Sequence, residues 1–397
     1  MISFSDAKCL KMKCLKNSVI KSHNKKTDFI KHPPPIINKR ENHMIAEQQI
    51  AKAKAEKQSI KCIVWDLDNT LWKGVLLEDV QVDLFENMRE ILETLDQRGV
   101  LQAIASKNDY DTAMKQLKSY GLDEYFLYPQ INWNSKSSSI RAIAESLNIG
   151  LDSIAFIDDQ SFEREEVSFA LPEVMCIDSA DLDHLLAMPE LQPRFITSES
   201  KLRRQMYLSD IKRKEIEDSF IETDESFLAT LDMAFSFKPA EEADLQRAEE
   251  LTVRTNQLNT TGYTYDYDEL NQFRLSDNHL LLSATLDDKY GTYGTIGLAL
   301  VELTDEVWTL KLLLMSCRVM SRGVGTIMMS HVMNEAKKAG VRLQAEFLRT
   351  DRNKMMFVTY KFGGFKQVGK KGDLVILEHD LTRIQPFPEH VKLHIEN

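Results

Sequence analysis

Cysteine is scarce in this 397-residue chain, and the five present, Cys9, Cys14, Cys62, Cys176 and Cys317, fall in none of the paired spacings that hold zinc. An odd, scattered set excludes a disulfide framework and a structural zinc site, and fits a reducing cytoplasm. Long apolar runs are missing too. No stretch approaches the roughly 18 to 20 apolar residues that span a bilayer, and the N-terminus lacks the apolar centre of a signal peptide. Positive charge is in deficit, with 50 Lys and Arg against 61 Asp and Glu, and the formal charge of −11 argues against non-specific binding to nucleic acid. Anionic metabolites remain compatible with local basic sites.

What is present is the composition of a soluble globular protein, 43% hydrophobic and 28% charged, in a chain too long for one ordinary core. Residues 1–58 are Lys-rich, carry Pro33, Pro34 and Pro35, and show no apolar period, which reads as a mobile tail. An organelle transit peptide and a translational start at Met44 are the alternatives. From residue 59 to 180, apolar runs of strand length alternate with helical spacing. Strands are predicted at Cys62–Leu67, Leu101–Ser106, Tyr125–Tyr128, Ser153–Asp158 and Val174–Asp178, and helices at Glu86–Arg98, Asp111–Tyr120 and Ser137–Asn148. This alternation implies a parallel sheet covered by helices on both faces, an uncapped Rossmann-like domain with ligands at the carboxyl ends of its strands.

Residues 181–232 read as a helical connecting segment, with a helix at Ser198–Ser219. Its Arg-rich part, Lys201 to Lys214, is expected to be a solvated helix face or, as the alternative, a docking surface. A second α/β domain is expected over 233–382, with a tail over 383–397. Its predicted elements are a strand at Met233–Phe237, a helix at Ala240–Thr255, strands around His279–Leu286, Gly294–Glu302 and Trp308–Ser316, a helix at Thr326–Ala339, and, last, a strand at Leu374–Leu377.

The first predicted strand ends in Asp66-Leu67-Asp68-Asn69-Thr70. Phosphoryl transfer through a covalent intermediate needs a carboxylate nucleophile, and a second carboxylate two residues on can serve the same site as acid and base. Asp66 is the candidate nucleophile and Asp68 the candidate proton carrier. Ser106 and Lys136, at the ends of later strands and loops, suit the binding of a phosphoryl group, with Lys107, Thr70 and Asn69 as neighbouring candidates. Asp158 and Asp159 close the fourth predicted strand. Carboxylates crowded at one sheet edge repel one another, so Asp66, Asp68, Asp158 and Asp159 are expected to hold a hard divalent cation, Mg²⁺. The intervals from Asp68 to Ser106 and from Ser106 to Lys136 are too short to hold a separate cap domain, so the site should be open. Residues Leu71 to Leu84 read as a short hairpin flap.

These pieces, in this order, resemble the haloacid dehalogenase (HAD) superfamily. The resemblance implies that Asp66, the backbone carbonyl of Asp68, and Asp159 bind the metal. In the second domain, Ser321-Arg322-Gly323-Val324-Gly325-Thr326 resembles the pyrophosphate-binding turn of the GNAT-type acyltransferase fold, with Met320 departing from the full acetyl-CoA pattern. Asn353, Tyr360 and Gly363-Gly364-Phe365 resemble its later part, with cap and core residues as the equal alternative. An uncapped phosphatase-like domain followed by an acyltransferase-like domain is the arrangement of the FkbH-like proteins. The match is carried by Asp66 to Trp72, Ile157-Asp158-Asp159 with Glu163-Arg164-Glu165-Glu166, Thr255-Asn256-Gln257-Leu258-Asn259 and Met315-Ser316-Cys317-Arg318-Val319.

That resemblance implies transfer of a glyceryl unit from 1,3-bisphosphoglycerate to a phosphopantetheinylated acyl carrier protein, for polyketide extender units or tetronates. Cys317 is then the candidate acyl acceptor, since Arg318 and a following helix N-terminus favour thiolate; the alternative is a buried apolar cysteine. Asn256, Gln257, Asn259, Arg318, Arg322, Gly323, Gly325 and Asn353 are the candidate acyl- or pantetheine-binding residues, although Thr255 to Thr261 reads equally as a solvated loop. A phosphatase of another phosphate ester or a phosphoprotein with the second domain as lid, and a carrier-binding scaffold, are the competing expectations.

Overall fold

The computed structural model describes residues 59–221 and 223–395. The Lys-rich segment, with Cys9, Cys14 and Met44, lies outside them. Two compact units emerge: residues 56–233 with 286–295, and residues 234–285 with 296–395, each considered within the described range.

In the first unit the strands are β1 (Cys62–Trp65), β2 (Trp72–Lys73), β3 (Asp83–Leu84), β4 (Leu101–Ser106), β5 (Gln130–Ile131), β6 (Ile154–Asp158) and β7 (Met175–Asp178). The helices are α1 (Met88–Gln97), α2 (Tyr110–Ser119), α3 (Lys136–Leu147), α4 (Ser161–Ala170), α5 (Leu182–Leu185), α6 (Ser198–Ser219) and α7 (Asp224–Thr230). The main sheet runs β5-β4-β1-β6-β7, with every neighbouring pair parallel. Unbroken apolar strands are what a sheet buried on both faces requires. Ile63 and Trp65 of β1 pack with Leu92, Leu95 and Leu117, whereas Cys62 and Val64 pack with Ile140, Ile143 and Val167. The strand order reverses between β1 and β6, and that is where an open parallel sheet leaves a crevice at its carboxyl edge.

Several expectations change. The stretch Tyr125–Tyr128 is not a strand: it enters a short 3₁₀ turn, Asp123–Tyr125, and leaves through Tyr128 at φ 49, so the edge strand begins at Gln130. Helix α4, absent from the predicted elements, is present. The flap is a single antiparallel pairing, Trp72 opposite Leu84 and Lys73 opposite Asp83. The arginines of α6 are neither a solvated face nor a docking surface. Arg203 donates to the Gly99 carbonyl at 2.7 Å, Arg204 forks onto Asp96, and Arg213 forks onto Asp288 while stacking on Tyr293 at 4.0 Å. The segment expected to connect domains is part of the first unit.

The second unit contains β8 (Met233–Pro239), α8 (Leu245–Arg254), α9 (Tyr267–Leu275), β9 (His279–Asp288), β10 (Gly291–Leu303), β11 (Val307–Met315), α10 (Val324–Ala339), β12 (Arg342–Leu348), α11 (Lys354–Phe362), β13 (Lys366–Lys371), β14 (Leu374–His379) and β15 (Val391–Ile395). The hairpin tip joining β9 and β10 groups with the first unit. The sheet order is β13-β14-β12-β11-β10-β9-β8-β15, so the expected C-terminal tail supplies an edge strand. Leu245, Ala248 and Leu251 of α8 and Leu270 of α9 cover Leu298, Leu300, Leu312 and Leu314 on one face.

Strands β11 and β12 pair in parallel only from Val307–Arg342 to Leu310–Ala345, although β11 continues to Met315. Backbone groups left by diverging strands need partners elsewhere. The segment Leu258–Thr260 supplies them: the Thr260 amide donates to Leu313 at 3.1 Å, the Leu313 amide to the Thr260 hydroxyl at 3.0 Å, the Leu348 amide to the Thr260 carbonyl at 3.1 Å and the Met315 amide to the Leu258 carbonyl at 2.9 Å.

Candidate active site

Asp66 stands one residue beyond β1 and Asp158 ends β6, on the two sides of the crevice. Lys136 opens α3 and reaches in between them. Its ammonium contacts Asp66 Oδ1, lies 3.1 Å from Asp158 Oδ2 and donates to the Ala105 carbonyl at 2.8 Å. All three side chains are buried. Burial pushes the Asp66 carboxyl up from its ordinary range, against the opposing pull of Lys136, the Ser106 hydroxyl and the Leu67 amide. Asp158 rises for the same reason, reinforced by Asp66, and Asp159 rises through burial and then the charge of Asp158. Burial would lower the Lys136 ammonium, but Asp66 and Asp158 outweigh it and hold the group above the usual lysine range. One ammonium thus faces three carboxyls that repel one another.

A cation fits this imbalance. Asp66, Asp158 and Asp159 each offer a carboxylate oxygen, all within 4.8 Å of one another. Asp159 Oδ1 is buried with no hydrogen-bond donor, an expensive state for an acceptor unless a positive charge meets it. The donor set is entirely hard oxygen, the chemistry of Mg²⁺.

The carboxylate of Asp68 lies outside this group, its expected metal donor being the backbone carbonyl. Its Oδ1 accepts from the Trp72 indole at 2.8 Å and the Leu76 amide at 3.0 Å, and its Oδ2 from the Asn108 carboxamide at 3.0 Å. The flap is thereby tied to the candidate proton carrier.

The other expected residues divide. Ser106 ends β4, buried, with its hydroxyl on Asp66. Lys107 turns to Glu163, 2.7 Å away. The Thr70 hydroxyl accepts from the Asp159 amide at 3.1 Å, so it acts on loop geometry. Asn69, exposed and at φ 53, holds the turn by exchanging hydrogen bonds with Gly74. Asn108, buried beside Asp68, and the carboxylates Glu163 and Glu166 escaped sequence reasoning. Only the Glu163-Arg164-Glu165-Glu166 string, one turn after Asp159, signalled the last two.

In the second unit, Cys317 and Arg318 form a half-buried 3₁₀ turn after β11, Asn256 is exposed and Gln257 half-buried. Arg322 is buried. Gly323, at φ 72 with open space around it, caps α10, whereas a Cβ on Gly325 would stand 2.8 Å from the Met315 thioether, so packing rather than ligand approach requires that glycine. Asn259 and Asn353 stand inside the fold, Asn353 at the N-cap of α11. Both are fully buried with their carboxamides engaged by backbone. Asn259 accepts from Thr261 and Gly262 and donates to the Tyr263 carbonyl; Asn353 donates to the carbonyls of Leu348 at 2.8 Å and Asn259 at 3.1 Å and accepts from the Thr350 amide at 2.9 Å. They shape the loop that fills the β11–β12 divergence.

Residues 46–166 are similar to the haloacid dehalogenase-like hydrolase family. Among solved structures, the chain is similar to the N-terminal part of protein BF1531 from Bacteroides fragilis, which contains a phosphatase domain complexed with Mg, at 29% identity and a TM-score of 0.30. That match covers 37% of this chain and 44% of that one, so the chain spans less than half of that structure's length. It is also similar to the ribosomal-protein-S18-alanine N-acetyltransferase from Escherichia coli, at 15% identity over 36% of this chain and 92% of that one, with a TM-score of 0.30. A GNAT-family acetyltransferase from Streptococcus pneumoniae matches at 18% identity over 36% and 97%, with a TM-score of 0.28. No curated protein matches significantly. Among the described residues no helix is long and apolar enough to cross a membrane.

Proposed function

We propose that the chain is a Mg²⁺-dependent phosphatase coupled to acyl transfer, of the FkbH-like kind, which takes 1,3-bisphosphoglycerate, removes its ester phosphate and passes the glyceryl group to a phosphopantetheinylated acyl carrier protein for polyketide or tetronate assembly. The observation that carries the first half is the buried Asp66–Lys136–Asp158 cluster with the donorless oxygen of Asp159 beside it. Asp66, Asp158, Asp159 and the Asp68 backbone carbonyl are the residues that would hold Mg²⁺. When bound, the ion offsets the charge of the phosphoryl oxygens.

An Asp66 oxygen attacks phosphorus and the bond to the ester oxygen breaks, with Asp68 delivering the proton that the leaving oxygen takes up. Asp68 then accepts a proton from water, whose oxygen displaces the aspartyl carboxylate and releases phosphate. Lys136 and the Ser106 hydroxyl orient Asp66. The acyl phosphate of the same substrate is already activated: a thiolate sulfur attacks its carbonyl carbon, a thioester forms and inorganic phosphate leaves. Cys317 is the proposed first acceptor, with Asn256, Gln257, Arg318 and Arg322 as contacts for the acyl or pantetheine group.

Intact mass spectrometry of the protein with Mg²⁺, freshly generated 1,3-bisphosphoglycerate and a loaded carrier tests this. A glyceryl adduct on the carrier that disappears in Asp66→Asn is the expected result. Cys317→Ala should stop transfer yet keep Mg²⁺-dependent phosphate release; undiminished transfer would remove Cys317 from the scheme. A second reading, a phosphatase without acyl transfer, is favoured by one observation: Asn259 and Asn353 are turned to backbone. Phosphate release with no adduct on either protein would select it.

A further inference from the structure

We infer that Arg164 and Glu166, on the first turns of α4, are positioning residues that set Lys136 against the Asp158–Asp159 pair. This rests on the reading of that cluster as a metal-dependent phosphoryl-transfer site. The peptide unit joining Asp158 to Asp159 is held at both of its polar ends. Its carbonyl accepts from Arg164 Nη1 at 2.7 Å, and its N–H donates to the Thr70 hydroxyl at 3.1 Å. A planar peptide gripped at both ends has its rotation removed, and that rotation decides where the Asp159 carboxylate points. The other arm of the guanidinium contacts Asp178, whose second oxygen accepts from the Ala180 amide at 3.0 Å, so the grip is itself anchored at the end of β7.

Two residues further, Glu166 reaches the start of α3. The Ser137 hydroxyl donates to its Oε1 at 2.5 Å, and the Ser137 amide to its Oε2 at 3.4 Å. Amides in the first turn of a helix have no partner within it, and an anion there also favours the helix dipole. Glu166 therefore seats the helix whose first residue is Lys136. Just before them, Glu163 holds Lys107 from the loop after β4. Three loops that surround Asp66 thus meet the first turns of α4. Such a frame is needed because the groups it spaces carry mutually repelling carboxylates at contact distance.

The test uses full-length protein and two readouts, calorimetric binding of Mg²⁺ alone and hydrolysis of an aryl phosphate ester, with melting temperature measured alongside. Arg164→Ala is expected to weaken Mg²⁺ binding about tenfold or more, the usual scale for a residue that orients a ligand from behind. Arg164→Lys, which keeps one donor, should recover part of it. Glu166→Ala is expected to lower kcat about tenfold with Mg²⁺ affinity unchanged, and Glu166→Gln to restore part of that loss. Wild-type Mg²⁺ affinity in Arg164→Ala overturns the inference, as does a loss that tracks a falling melting temperature or is not rescued by the conservative variants. Wild-type protein that binds Mg²⁺ but hydrolyses no ester defeats the phosphoryl-transfer reading alone, since the affinity comparison still judges Arg164.

Discussion

The carboxyl edge of the first sheet and the divergence of β11 from β12 are both buried, polar and built from loops, yet they treat their polar atoms in opposite ways. At the first, three carboxyls crowd about one ammonium and Asp159 Oδ1 has no donor. At the second, the carboxamides of Asn259 and Asn353 close on backbone groups. A polar group buried without a partner costs about 1 to 3 kcal/mol, and an acceptor set among carboxylates is the kind of group that a cation completes. The divergence needs nothing further; the sheet edge does.

Lys136→Met presses hardest on this contrast. It leaves Asp66 and Asp158 without their cation, and removing one partner of a buried pair costs about 3 to 5 kcal/mol. The expected result is a large drop in the denaturation midpoint without metal, partly restored by millimolar Mg²⁺. Restoration by NaCl of equal ionic strength would mean that no specific cation site exists. Asn353→Ala should cost about 2 to 3 kcal/mol by stranding the Leu348 and Asn259 carbonyls and the Thr350 amide. Here Mg²⁺ should restore nothing. An effect of metal on this variant would erase the distinction between the two regions. The smallest effect is expected for Asn108→Ala, which takes one of three donors from Asp68. A lost hydrogen bond to a charged group, about 1.5 kcal/mol, corresponds to roughly a tenfold fall in kcat. An unchanged kcat with a raised KM would move Asn108 from proton handling to substrate binding.

The parts legible in sequence are those whose signal is local. Asp66, Ser106, Lys136 and Asp158 each stand at or just beyond a strand or helix end that hydrophobic pattern marks, and the structure brings them together. Asn108, Arg164 and Glu166 act on partners from other loops, and no period or spacing announces such a contact. Helix α4 was illegible for a related reason. Phe162 and Phe169 are exposed and only Val167 and Glu163 are fully buried, so no apolar stripe forms. Strand β13, Lys-Gln-Val-Gly-Lys-Lys, is an edge whose charge protects it from pairing further and also hides it from a pattern search. Asn259 was read from a polar cluster after a helix and Asn353 from a resemblance, and for both the full burial and the backbone partners are visible only in three dimensions.

Asn353 also dictates an order of events. Its carboxamide bonds to the Asn259 carbonyl across 94 positions of sequence, and to that of Thr260 across 93. Closing so long a loop is entropically unfavourable until other contacts have drawn the ends together, so this latch belongs after the transition state for folding. During synthesis at about 5 to 20 residues per second, the segment Leu258–Thr260 waits several seconds for the residue that secures it. Breaking the latch should accordingly hasten unfolding and leave the folding rate nearly unchanged.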